Sequence, residues 1–110
     1  MPSINIYTSR GRAPALEQLL PQLRDFTAKT LSCGDRTLAT NEMSLRIIIP
    51  EYSSQIADTE IEMFAYQYSE RVKKQDEICR SVRNYVQQQC PQAGSVYAWL
   101  ALSELGHSAE

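Results

Sequence analysis

The sequence has few of the residues from which metal sites and nucleophilic sites are built. It contains one histidine, His107, and three cysteines, Cys33, Cys79 and Cys90, with no CxxC spacing. We therefore expect no metal site, and we interpret the cysteines as reduced thiols, with Cys79 and Cys90 near the buried face of a helix.

The sequence also lacks an excess of positive charge and a long apolar run. Its formal net charge is -2 and it has no basic stripe, which argues against nucleic-acid binding. No segment approaches the roughly 20 apolar residues of a membrane span, and no basic segment leads into an apolar run at the amino terminus. We expect a cytoplasmic protein with a single domain over residues 1–110.

Hydrophobic periodicity predicts two strand–helix–strand units joined by a polar linker at 51–58. The predicted strands are 2–8, 44–50, 61–68 and 96–102, and the predicted helices run from Pro14 to about residue 32 and from Ser69 to about Cys90. Ser69 is expected to cap the second helix. Pro21 is expected to kink the first helix or delay its start.

The two units form a weak internal repeat, with halves at about 2–52 and 60–103. A shift of 59 residues places Arg12 on Arg71, Leu19 on Ile78, Leu23 on Val82 and Phe26 on Tyr85. The predicted fold is α+β, in the order β-α-β-β-α-β, with a four-stranded sheet and both helices on one face. Because the strands at 44–50 and 96–102 are apolar on both sides, we expect the other face to be covered in a homo-oligomer.

Pro2 and Arg46 are the first candidate functional residues. Removal of Met1 would expose the secondary amine of Pro2, although many chains begin Met-Pro without catalytic meaning. Burial and nearby cations lower the pKa of such an amine. One cation at about 6 Å, with an effective dielectric of about 20, contributes roughly 2.8 kcal/mol, or about two pKa units. Arg12 and Arg46 are candidates, and Arg46 lies inside the most apolar strand. It either faces solvent, pairs with Glu51 or Glu62, or binds a ligand.

The motifs together resemble the tautomerase superfamily, and within it 4-oxalocrotonate tautomerase. They are Pro2-x-Ile4-x-Ile6, then Gly11-Arg12, then Ser44-x-Arg46-Ile-Ile-Ile-x-Glu51. The resemblance covers the first half closely and the second half only as a degenerate repeat.

The resemblance implies a cofactor-independent tautomerase that acts on a small 2-oxo or 2-hydroxy-dienoate carboxylate at subunit boundaries. Pro2 would be the general base and Arg12 would bind a substrate carboxylate. Arg46 would bind the carbonyl or a second carboxylate and stabilise the enolate. The candidate substrate-binding residues are Arg10, Ser44 and Tyr97. Tyr97 and Trp99 would either line the pocket or, as we favour, pack.

Departures from the family leave alternatives open. The repeat counterparts of Pro2 and Arg46 are Ile61 and Tyr97, so a homotrimer with three sites is expected rather than a hexamer. The cis-3-chloroacrylic acid dehalogenase branch has a histidine where this chain has Lys29, which argues against a dehalogenase.

The other readings are a proline-dependent hydratase or decarboxylase, in which Glu51 or Glu62 holds a water, and a catalytically silent oligomeric binding protein on the same scaffold.

Overall fold

The computed structural model describes residues 2–32 and 37–104, in which a four-stranded sheet packs against three helices. The elements are β1 Ser3–Tyr7, α1 Ala13–Leu31, β2 Ser44–Ile48, β3 Thr59–Tyr66, α2 Ser69–Lys73, α3 Gln75–Gln89 and β4 Val96–Ser103. Short 3-10 turns occupy Thr40–Glu42 and Pro91–Ala93. The predicted α+β fold is confirmed.

The sheet has the strand order β2-β1-β3-β4. The pairs β1–β2 and β3–β4 are parallel, as a strand–helix–strand unit requires, and the antiparallel pair β1–β3 joins the units. Ile4 lies opposite Met63, which is the residue that the 59-residue shift aligns with it. Phe26 and Tyr85, also aligned by that shift, stack with ring centroids 4.0 Å apart. Aligned residues meet in this way when two units are related by an approximate twofold axis.

One face of the sheet forms the core with the helices. Ile4 and Ile6 of β1 and Ile61 and Met63 of β3 are fully buried. They belong to one cluster with helical side chains, among them Leu16, Leu23, Val82 and Val86. Each such side chain stabilises the fold by roughly 1.5–3 kcal/mol on burial. Because side chains alternate along a strand, the residues between them point to the opposite face.

The first helix differs from its prediction at Pro21. Helix α1 begins at Ala13 and continues through Pro21 to Leu31, so the expected delay is wrong. Pro21 is exposed, and so is Glu17, whose carbonyl loses its usual donor four residues later. Water can hydrate a carbonyl on that side, which makes the proline tolerable.

The second helix also differs, because it divides at Lys74 into α2 and α3. Tyr68 precedes the first helical residue and makes no side-chain cap bond, so Ser69 is not the cap. Val72, expected on the buried face, is 46% exposed, and Arg71 takes the inward position instead.

The strand ends differ by up to two residues. Strand β2 ends at Ile48, whose carbonyl accepts the Thr8 N–H at 3.1 Å. Pro50 has no N–H with which to extend the strand. Strand β3 begins at Thr59 rather than residue 61, because its N–H already donates to the Ser95 carbonyl at 3.0 Å.

Arg71 ties the two halves together in the interior, where it is only 2% exposed. Its Nε donates to the Leu31 carbonyl at the end of α1, and its Nη1 donates to the Tyr66 carbonyl at the end of β3, both at 2.9 Å. The guanidinium also lies over the Tyr68 ring, 4.9 Å from its centroid. A buried cation thus satisfies carbonyl groups at the ends of a helix and a strand.

We expect Arg71→Met to lower the free energy of unfolding by about 2–4 kcal/mol, because it leaves buried carbonyls without donors. Urea denaturation measures this change. Arg80→Met, at an exposed position of α3, is the control and should change stability by less than about 0.5 kcal/mol. Equal effects of the two substitutions would contradict the structural role of Arg71.

Candidate functional site

The face of the sheet opposite the helices, here called the open face, carries three rows of side chains. Strand register defines the rows as Ser44–Ser3–Phe64–Ala101, Arg46–Asn5–Glu62–Trp99 and Ile48–Tyr7–Glu60–Tyr97. Phe64 and Tyr97 are 40% and 46% exposed, and Arg46 is exposed. Charged and aromatic residues therefore share a surface that no helix covers.

Hydrogen bonds connect the middle row. Arg46 Nη1 donates to Asn5 Oδ1 at 3.1 Å, and Asn5 Nδ2 donates to Glu62 Oε1 at 3.1 Å. The Tyr7 hydroxyl donates to the same Glu62 oxygen at 3.0 Å. This hydrogen bond, with partial desolvation, raises the pKa of Tyr7 above its ordinary value, so Tyr7 remains a protonated donor at neutral pH.

Arg46 thus reaches Glu62 through Asn5 rather than directly. Within residues 2–32 and 37–104 it makes no ion pair, and Glu51 is exposed. A guanidinium has five N–H donors. The donors that Asn5 does not occupy are available to a ligand on the open face.

Pro2 lies immediately before β1 and is buried. Its carbonyl accepts the Ser44 N–H at 3.2 Å, so Pro2 and Ser44 are neighbours at one end of the β1–β2 pair. Arg46 is two residues further along β2. Pro2 and Ser44 therefore lie at the start of the β1–β2 pair, and Arg46 lies at the middle of β2, opposite Asn5.

Arg12 lies beyond the opposite end of β1 from Pro2, and the five residues of that strand alone span about 17 Å at the usual rise per residue. Its Nη1 donates to the Gln92 carbonyl at 2.9 Å, and its Nη2 is 3.6 Å from Asp58 Oδ2. The side chain remains 37% exposed, so part of the guanidinium is open to solvent. A single chain does not bring Arg12 to Pro2.

Arg10 lies at the same end as Arg12, in a cleft of about 520 Å³ that is also lined by Ile49, Pro50 and Glu51. Tyr97 lies on β4, at the opposite edge of the sheet from Arg46 and about 14 Å away at the usual strand spacing. Its ring centroid is 5.7 Å from that of Trp99. The six candidate residues thus occupy three separate places on one chain.

The cysteines provide no obvious nucleophile in the part of the chain that the structure describes. Cys90 is buried, just beyond the end of α3. Burial raises the pKa of the half-buried Cys79 thiol, and the Asp76 carboxylate adds to this, so Cys79 is protonated. Cys33 and His107 lie outside the described residues.

Residues 2–32 and 37–104 contain neither a metal-binding cluster nor a membrane-spanning helix. No group of three or more histidine, cysteine, aspartate or glutamate residues there could hold a metal ion. None of the three helices is long and apolar enough to cross a membrane.

Sequence reasoning missed Asn5 and Tyr7. Their alternation with Ile4 and Ile6 places them on the open face, but only the antiparallel register with β3 puts them beside Glu62. It also missed Asp58, which lies in the predicted linker.

Asp58 anchors the turn that carries Arg12's partners. Its Oδ2 accepts the Ser95 N–H at 3.0 Å and the Ser95 hydroxyl at 3.2 Å. The Ser95 backbone hydrogen bond and the positive charge of Arg12 hold the pKa of Asp58 below its ordinary value. Gly94 has φ +73°, and a Cβ there would collide with the Asp58 carboxylate and with Arg12, so glycine is required.

We expect Asp58→Asn to destabilise the protein at neutral pH and to lose this effect in acid. A carboxyl group whose folded-state pKa is lowered stabilises the fold above its unfolded pKa of about 4. That stability disappears as the pH falls through the folded-state value. Urea midpoints of wild type and Asp58→Asn should therefore differ at pH 7 and converge near pH 2. Asp25→Asn, on the exposed side of α1, is the control. A constant difference between wild type and Asp58→Asn at every pH would contradict this.

Comparison with known proteins adds evidence on the fold. No protein-family model and no protein of curated function matches the sequence. A protein of unknown function from Vibrio cholerae O1 biovar eltor has a similar structure, with TM-score 0.67 and 15% identity over 94% of this chain and 78% of that chain.

Two further structures come from better-described groups. The macrophage migration inhibitory factor-like protein of Entamoeba histolytica gives TM-score 0.61 and 10% identity over 97% of this chain and 95% of that chain. A fused 4-OT protein, described as a symmetric trimer, gives TM-score 0.59 and 12% identity over 93% and 85%. This chain therefore has the fold of the tautomerase superfamily.

Proposed function

We propose that the protein is a cofactor-independent tautomerase whose general base is the Pro2 amine, freed by removal of Met1. Its substrate is a small 2-oxo or 2-hydroxy-dienoate carboxylate. The observation that carries the proposal is that Pro2 adjoins Ser44 at the start of β2, the strand that presents the exposed Arg46, in a tautomerase-superfamily fold.

The reaction needs a proton to move between two positions of the substrate. The neutral amine of Pro2 accepts the proton from carbon or from the enol oxygen, and the resulting ammonium returns it to the other position. Arg46 donates N–H groups to the oxygen on which the enolate charge develops. A planar guanidinium suits this because it binds oxygen pairs in a fork.

The surroundings of Pro2 favour the neutral amine. Pro2 is buried, and burial disfavours the charged form of an amine. While Met1 is attached, the Pro2 nitrogen is an amide and has no basic lone pair. Removal of Met1 is therefore part of the proposal.

The proposed assembly is a homotrimer with sites between chains. Arg10 and Arg12 lie at the other end of β1 from Pro2, and Tyr97 lies at the far edge of the sheet. These residues act on one substrate only if copies of the chain contribute them together. The half-exposed aromatic residues of the open face, and likeness to a symmetric trimer, support such an assembly.

The first experiment compares two proteins that differ only at the amino terminus. One has the free Pro2 amine, verified by intact mass, and the other carries a two-residue extension that keeps Pro2 acylated. Tautomerisation of an aryl pyruvate enol is followed by ultraviolet absorbance. We expect the extension to lower kcat/KM by about 100-fold or more, because the base is lost. Equal activity of the two proteins would show that Pro2 is not the general base.

Substitutions then test the arginines in the protein with the free amine. Arg46→Ala is expected to lower kcat/KM by about 100-fold, the usual cost of losing one donor to a developing oxyanion. Arg24→Ala, at an exposed position of α1, is the control and should leave kcat/KM unchanged. An Arg46→Ala protein as active as the Arg24→Ala protein would remove Arg46 from the mechanism.

A second candidate is a catalytically silent oligomeric binding protein on this scaffold. The engagement of Arg12 by Asp58 and Gln92 favours it, because that arginine already has a structural partner. On this reading Arg12→Ala changes stability, and the protein with a free Pro2 amine shows no turnover of the aryl pyruvate.

A further inference from the structure

We propose that Asn5 and Glu62 are positioning residues, which hold the Arg46 guanidinium in the orientation that binds a 2-oxo carboxylate. The inference rests on the proposed function and deepens it, since it assigns a role to two residues that the tautomerase motifs do not include.

Arg46, Asn5 and Glu62 occupy one row on three adjacent strands, and hydrogen bonds of 3.1 Å and 3.1 Å join them. The Tyr7 hydroxyl, from the next row, holds the same Glu62 oxygen at 3.0 Å. Strand β1 is paired on both sides and β3 lies between β1 and β4, while the edge strand β2 pairs in parallel with β1, so the backbone fixes where these side chains start.

The chain of hydrogen bonds from Arg46 through Asn5 to Glu62 has only one possible direction. A guanidinium can only donate, and an ionised carboxylate can only accept. If the Asn5 amide turned over, its NH₂ group would face Arg46 and its oxygen would face Glu62, and both hydrogen bonds would be lost. Glu62 therefore fixes the Asn5 amide, and the Asn5 oxygen then fixes one edge of the guanidinium.

The separation of Arg46 from Glu62 by Asn5 also preserves the positive charge of Arg46. A direct ion pair with Glu62 would occupy the guanidinium and offset its charge. Asn5 is a neutral spacer, which keeps the Glu62 backbone two strand spacings, about 10 Å, from that of Arg46. The side chain of Arg46 is thus restrained before a ligand arrives, so it loses less rotamer freedom on binding while its positive charge remains available.

The open face also provides a matched control. Glu60 lies on the same strand and the same face as Glu62, in the adjacent row. Its carboxylate accepts the N–H groups of Ile56 at 2.7 Å and Ala57 at 3.3 Å and takes no part in the Arg46 chain. Substitution of Glu60 therefore removes a nearby negative charge without disturbing Asn5.

The test measures binding separately from turnover. Benzoylformate is a 2-oxo carboxylate without a hydrogen that can enolise, so it binds without reacting. Its Kd is measured by calorimetry and by fluorescence of Trp99, the single tryptophan of the sequence and the neighbour of Glu62 in the middle row. The protein used has a free Pro2 amine, and the variants are Asn5→Ala, Glu62→Ala, Glu62→Gln and Glu60→Ala.

We expect Asn5→Ala and Glu62→Ala each to raise the Kd about 5- to 10-fold. The double variant should be no weaker than the weaker single variant, because both break one chain. Glu62→Gln keeps an oxygen that accepts from Asn5 and Tyr7, so it should stay within about twofold of wild type, as should Glu60→Ala. If Glu62 only stabilised the fold, Glu62→Ala would lower the free energy of unfolding and leave the Kd of the folded protein unchanged.

Several outcomes would overturn the inference. They are wild-type affinity in Asn5→Ala and Glu62→Ala, unchanged affinity in Arg46→Ala, and no detectable binding of benzoylformate by the wild type. If the wild type binds benzoylformate and the network variants weaken it, but no turnover occurs, the positioning role stands and the proposed tautomerase activity fails.

Discussion

The antiparallel pairing of β1 with β3 is the contact on which the rest of the structure depends. It joins two strand–helix–strand units so that Ile4 lies opposite Met63 and both sets of helices pack on one side. Because side chains alternate along a strand, the register that buries Ile4 and Ile6 also aligns Asn5 with Glu62 on the other side. Core and open face are therefore consequences of one register, and a slip by one residue would destroy both.

The same geometry separates the candidate functional residues. Pro2 lies before β1 and Arg12 lies after it, so the length of the strand keeps them apart. In each half, an arginine donates a hydrogen bond to a carbonyl at or just beyond the end of a helix. Arg12 donates to the Gln92 carbonyl beyond α3, and Arg71 donates to the Leu31 carbonyl at the end of α1. Arg71 is buried and Arg12 is partly exposed, which leaves only Arg12 with a surface to offer a ligand.

Much of the architecture could be predicted, because alternation and helical periodicity are local signals. The strand around Ile4 and Ile6 and the helix through Leu16 and Leu23 follow directly from them. The inward position of Arg71 could not be predicted, because Arg71 donates to the Leu31 carbonyl, 40 positions away. The expected delay of the first helix at Pro21 was wrong because propensity counts the lost hydrogen bond but not the solvent that surrounds it.

The sequence by itself determined the α+β class and the two units, and it singled out Pro2 and Arg46 as candidate functional residues. These follow from patterns within a few residues, where backbone geometry is decisive. Only the tertiary structure decided that Arg46 is bound by Asn5, that Asn5 is bound by Glu62, and that Arg12 is held by Asp58. Each of these contacts joins residues more than 40 positions apart in the chain. Strand order and register bring Arg46, Asn5 and Glu62 together, and the packing of the turns outside the strands brings Arg12 to Asp58.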